Sequence, residues 1–110
     1  MRASEKVALH KQDIYRILRR YPTVSNVRIC GSVARGTDTD SSDVDFLVTA
    51  GPGTTLFTLG GLLEDLQDAL GVSVDVISDN SSMDPSMKSD LLREAVALHT
   101  CPWHAQHSRA

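Results

Sequence analysis

Three aspartates stand in runs whose neighbours are apolar. Asp43 and Asp45 open the segment DVDFLV, and Asp75 sits at the centre of VSVDVI. Side chains two apart on a strand share a face, so an extended DVDFLV points both of its carboxylates the same way. Pairing of the two segments would let all three converge. Like charges about 4 Å apart repel by roughly 4 kcal/mol at an effective dielectric of 20, so such a cluster calls for a cation. Oxygen ligands with no Cys or His nearby select Mg²⁺ or Mn²⁺ over zinc. Two such ions about 3.5–4 Å apart, beside a substrate phosphate, activate an attacking oxygen and stabilise a leaving one.

The segment GSVARGTDTDSS, just before the first pair, offers the rest of a phosphate site. Gly31 lets the backbone approach closely, and Ser32 presents a hydroxyl and a main-chain N–H to phosphate oxygens. A helix starting here would add a favourable dipole. Arg35 is the one base in this acidic stretch and suits bidentate pairing with a phosphate. Each signal is weak alone: Asp-x-Asp is usually an acidic surface strand, and Gly-Ser is usually a turn. Gly31-Ser32, ten residues, then Asp43-x-Asp45 fix four positions together. At residue frequencies of roughly 6–7% each, chance gives that arrangement about once in a thousand chains of this length.

The elements that must hold these residues are legible in outline. Ile14, Ile17, Leu18 and Tyr21 share one helical face, predicting a helix from Ser4 to about Tyr21 that ends before Pro22. Val24 to Cys30 reads as a strand, residues 31–42 as a loop or glycine-led turn, and Asp43 to Val48 as a second strand. Leu56, Leu59, Leu63, Leu66 and Leu70 form a helical stripe that Gly71 caps, with Gly60-Gly61 marking a possible bend or split. Val72 to Ile77 is a third strand, and Asp84-Pro85 opens a last helix through about Leu98. The order predicts an α/β (α+β) fold with a small mixed sheet flanked by helices. Residues 1–98 are expected to form a single domain, and 99–110 a flexible tail.

The chain has 110 residues, 41% hydrophobic and 23% charged, which fits one globular core and is too apolar for a disordered chain. No apolar run is long enough to span a membrane, and the first residues lack a signal-peptide core. Two cysteines, Cys30 and Cys101, are too few for a disulfide framework, so the expected setting is cytoplasmic. The net charge of −3 divides unevenly: residues 1–28 carry seven bases and two acids, the remainder four bases and twelve acids. Overall acidity argues against general nucleic-acid binding, and the basic first segment reads first as a solvated helix face, second as a dock for an acidic partner. Cys30 reads as a buried small hydrophobe. His99, Cys101, His104 and His107 match no standard zinc spacing, and Trp103 is a candidate partner anchor.

GSVARGTDTDSSDVDFLV closely resembles the signature of the DNA polymerase β-like nucleotidyltransferase superfamily: Gly-Ser, ten residues, Asp-x-Asp. The fuller form, Gly-Ser-x-Ala-Arg-Gly followed by Ser-Asp-x-Asp, is similar to its minimal nucleotidyltransferases, the MNT proteins. LGGLLEDLQDALGVSVDVIS resembles the family's helix and third-carboxylate strand, and DLLREAVAL its closing helix, so the resemblance covers about residues 13–98. Cys30, where an aromatic is usual, and Phe46, where leucine is common, depart from it without touching the chemistry.

The resemblance implies that Asp43 and Asp45 bind two Mg²⁺ ions, or Mn²⁺, and that Asp75 completes the site and helps deprotonate an acceptor hydroxyl. It implies that Gly31 and Ser32 hold a nucleotide triphosphate with help from Arg35. MNT proteins are commonly antitoxins paired with a HEPN-domain ribonuclease toxin. The implied reaction is transfer of AMP from ATP to a tyrosine of that toxin, within a hetero-complex. Two other readings stay open: a binding-only antitoxin that masks its toxin, and a nucleotidyltransferase acting on RNA or a small molecule. Nucleotide preference, the acceptor residue and stoichiometry are not written in the sequence.

Overall fold

A computed structural model describes residues 1–80 and 84–98. Its elements are α1 (Ala3–Leu9), α2 (Lys11–Leu18), β1 (Val24–Cys30), α3 (Gly31–Arg35), β2 (Val44–Ala50), α4 (Leu56–Leu70), β3 (Val74–Ser78), α5 (Pro85–Glu94) and β4 (Val96–Ala97). The four strands form one sheet in the order β3-β2-β1-β4. β1 runs antiparallel to β2 and to β4, whereas β2 and β3 are parallel, with α4 as the crossover between them. The fold is therefore the α+β mixed sheet flanked by helices that the sequence predicts.

Alternation along β2 divides the sheet into two faces. Val44, Phe46 and Val48 are fully buried and join Ile14 and Ile17 of α2 and Leu62, Leu66 and Leu70 of α4 in the main core. The intervening residues, Asp45, Leu47 and Thr49, face the other way. Of the leucine stripe, Leu66 and Leu70 are core and Leu59 packs against it, but Leu56 at the helix start is exposed and Leu62, outside the stripe, takes a fully buried place. Gly71 caps the helix in the left-handed conformation at φ 70°.

Gly60-Gly61 does not split α4, which is continuous over fifteen residues. A Cβ on Gly61 would lie 3.0 Å from the Tyr21 hydroxyl, so the bare backbone admits a tyrosine that donates to Asp65 at 2.6 Å. Cross-chain packing here offsets the helix-propensity cost of the glycine.

Several predicted boundaries shift. The first helix is two helices broken at His10, whose backbone leaves the helical region at φ −102° and ψ 21°. The break starts α2 afresh, with Asp13 in its first turn 3.2 Å from His10 Nδ1, a favourable place for an acid. β2 begins at Val44, leaving Asp43 just outside it, and β3 begins at Val74. The loop after β1 opens with the short helix α3. The last helix stops at Glu94 because Ala95 turns extended, and Val96–Ala97 then pairs with Arg28 and Ile29 as a fourth strand. Pro85 stands at the start of α5 as predicted, but Asp84 makes no side-chain capping bond. The tail, with His99, Cys101, Trp103, His104 and His107, lies outside the described residues. Among the described residues no helix is long and apolar enough to cross a membrane.

Candidate active site

The sheet register aligns the site across three strands. Cys30 of β1 pairs with Asp45 of β2, which pairs with Asp75 of β3. Residues opposite one another in a ladder share a face, so Asp45 and Asp75 stand side by side on the face away from the main core. Asp43 lies two residues before Asp45 at the mouth of β2, and both it and Asp75 are exposed. The later strand starts, by one residue in β2 and two in β3, leave intact the adjacency that matters.

Gly31 closes the row. Its φ of +74° is left-handed, and a Cβ there would run into the Asp45 carboxylate. The chain thus turns from β1 into α3 directly against Asp45, which only glycine permits without strain. Ser32 follows in the first turn of α3, half-buried, where helical N–H groups lack helical acceptors. Gly31, Ser32, Asp43, Asp45 and Asp75 therefore gather at one end of the sheet. Arg35, at the end of α3, is exposed and donates from Nη1 to Glu94 Oε2 at 3.0 Å.

Electrostatics at this end are unbalanced. Burial raises the Asp45 carboxyl above the ordinary aspartate range, and the charges of Asp75 and Asp43 push it further, against a weaker pull from Arg35. Burial likewise pushes the Cys30 thiol up to about 11, aided by the charges of Asp45 and Glu94. A thiol that resists ionisation is no nucleophile, in keeping with its reading as a small core residue.

Among the described residues, no three acidic, His or Cys side chains are already gathered tightly enough to hold a metal ion. The donor set nevertheless fits a hard divalent cation. Asp45 and Asp75 are adjacent, Asp43 is close enough to disturb Asp45, and mutual repulsion is the condition a cation relieves.

Two features were missed from the sequence. Glu94, the partner of Arg35, is 59 residues away in the chain and carries no local signal. A cleft of about 230 Å³ opens beside Asp43, bounded by Lys6, residues 40–43 and residues 71–73. Its polar walls come from three separated segments, which only the fold brings together. A larger cleft of about 400 Å³ lies between α2 and α4 and includes none of the predicted site residues. Charges lining it pair locally, Arg16 with Asp13 at 2.7 Å and Arg20 with Asp65 at 3.7 Å, so part of the basic first segment is neutralised within the fold.

The nucleotidyltransferase domain family model matches residues 12–98. A Methanocaldococcus jannaschii protein that carries the provisional name protein adenylyltransferase is 40% identical over 86 residues, covering 78% of this chain and 90% of its own. A solved structure described provisionally as a minimal nucleotidyltransferase superposes with a TM-score of 0.72 at 33% identity, covering 84% of this chain and 93% of that one. A tri-AMPylated Shewanella oneidensis HEPN toxin in complex with MNT antitoxin gives a TM-score of 0.61 at 21% identity, over 82% of this chain and 69% of that chain, and at that identity shows likeness of fold alone. With its register, its glycine turn and these relatives together, the chain belongs to the nucleotidyltransferase domain family and is a nucleotidyltransferase of the minimal kind.

Proposed function

We propose that the chain transfers AMP from ATP to a tyrosine hydroxyl of a HEPN-domain toxin and so neutralises it. The observation that carries the reading is the register of Asp45 beside Asp75 with Gly31 turned against them. The provisional adenylyltransferase name of the M. jannaschii relative supports AMP and a protein acceptor, and the fold shared with an MNT antitoxin complexed with its HEPN toxin supports the partner.

In this reading Ser32 and the first N–H groups of α3 hold phosphate oxygens of the triphosphate. Arg35 exchanges Glu94 for phosphate, an easy exchange because exposed ion pairs contribute only about 0–1 kcal/mol. Mg²⁺ or Mn²⁺ held by Asp43, Asp45 and Asp75 would neutralise charge building on the α-phosphate and the departing pyrophosphate. Asp75, exposed on the edge strand, accepts the proton of the attacking hydroxyl. A bond forms between that oxygen and the α-phosphorus, the bond to the bridging oxygen breaks, and pyrophosphate leaves.

The test is the intact mass of the partner protein after incubation with this chain, Mg²⁺ and ATP. Addition of AMP units, lost with the Asp43→Asn/Asp45→Asn variant, is the expected result. A partner that binds without gaining mass from any of the four nucleotides would establish a masking antitoxin. If no partner binds, the acceptor is to be sought among RNA and small molecules.

A further inference from the structure

We infer that Asp38 is a positioning residue for the nucleotidyl-transfer site, acting through the loop that delivers Asp43, and that α1 is thereby part of the site's scaffold. The inference rests on the reading of Asp43 as a site carboxylate.

Residues 36–43 join α3, which carries Gly31 and Ser32, to β2, which carries Asp45. Within itself the loop makes only short-range bonds, such as Thr37 N–H to the Ser32 carbonyl at 3.0 Å and Thr39 N–H to Ser42 Oγ at 2.8 Å. Its long-range attachment comes from the start of the chain. The Asp38 carboxylate, whose side chain is 0% exposed, accepts from the Ser4 N–H at 2.8 Å and from Arg2 Nη2 at 2.9 Å. Arg2 Nε also donates to the Asp38 carbonyl at 3.3 Å, and the Ala3 N–H to the Thr39 carbonyl at 3.4 Å. Asp38 thus satisfies an amide in the first turn of α1 that the helix itself leaves open, using a charged acceptor from elsewhere in the chain.

Among the described residues every long-range bond of the loop comes from residues 1–4, and a cleft lined by Lys6 of α1, residues 40–43 and residues 71–73 opens beside Asp43. A loop held at one place takes its position from that hold. The family match spans residues 12–98, so Asp38 lies inside it while its partners Arg2 and Ser4 lie before it.

The test compares the parent with Asp38→Asn, Arg2→Ala and Asp79→Asn. Asp79 lies just past the far end of β3, where it pairs with Arg28, so its loss destabilises without touching the loop. Three quantities are read: amide hydrogen exchange of residues 36–43, affinity for MgATP by titration, and melting temperature. Asp38→Asn should speed exchange across residues 36–43 by about tenfold and weaken MgATP by roughly five- to tenfold, with Arg2→Ala smaller in the same direction. Asp79→Asn should lower the melting temperature and leave the other two unchanged. Parental exchange and affinity in Asp38→Asn would overturn the inference, as would equal weakening of MgATP by Asp79→Asn. If the parent itself does not bind MgATP, the reading of the site falls separately. Exchange then decides the clamp alone, fast exchange in Asp38→Asn upholding it and parental exchange ending it.

Discussion

Asp45 and Asp75 stand side by side at one end of the sheet, and among the described residues neither has a hydrogen-bond or ion-pair partner. At the other end Asp79 accepts from Arg28 and from the Thr49 hydroxyl, both at 2.6 Å, and Asp38 behind the site loop is bonded to Ser4 and Arg2. Asp38, Asp45 and Asp79 are all partly or wholly sheltered, yet their electrostatics run in opposite directions. Burial works against the charge of Asp38 and Asp79, but the hydrogen bonds and the arginine beside each outweigh it and hold both below the ordinary aspartate range. Asp45 has only the weaker pull of Arg35 to set against burial and the charges of Asp75 and Asp43, and is pushed up. An acid satisfied by its own chain stabilises the fold. An acid left repelling its neighbours stores an unmet demand for positive charge, which a ligand must supply.

The sharpest way to break this comparison is Asp45→Asn. It should reduce nucleotidyl transfer by about a thousandfold or more while leaving metal-free stability equal to the parent or up to about 1 kcal/mol higher, since it removes a repelling charge. A fall in melting temperature would show that Asp45 is structural after all. Gly31→Ala comes next. Its Cβ meets the Asp45 carboxylate in a left-handed backbone, so activity should be lost together with about 1–3 kcal/mol of stability, read by urea unfolding.

Asp79→Asn should cost about 1 kcal/mol, the scale of a partly buried pair, with MgATP affinity unchanged. The smallest effect concerns pH. Asp38 and Asp79 have folded-state values below those of the unfolded chain, so their contribution is fully present above about pH 4 and is lost as pH falls through the lower, folded values. Thermal melts between about pH 5 and pH 2 should show a loss that is shallower in an Asp38→Asn/Asp79→Asn double variant. An identical slope in both proteins would remove the electrostatic account of these two acids.

Alternation in DVDFLV marked Asp45 as sharing a face opposite to Val44 and Phe46, and the fold agrees. Periodicity likewise identified α4 and its Gly71 cap, because both depend on neighbours within a turn or two. The same local rules overran at the first helix, where apolar spacing continues through His10 although the backbone breaks there. They also carried the last helix through Val96 and Ala97, whose pairing with Arg28 and Ile29 is a long-range contact that periodicity cannot report. Glu94 opposite Arg35 and Asp38 opposite Ser4 were missed for the same reason.

The amino-acid order by itself determined which groups are available: three carboxylates, a glycine-serine turn and an arginine at fixed spacing, within segments whose apolar periods dictate strand or helix. Such properties are written in neighbouring residues and survive without knowledge of the fold. Only the tertiary structure decided which acids face one another and which are quenched. Asp45 meets Asp75 through a parallel register set by the α4 crossover, and Asp38 meets the start of α1 across 34 residues of chain. Charge interactions depend on distance in space and on what water has been excluded, and folding sets both.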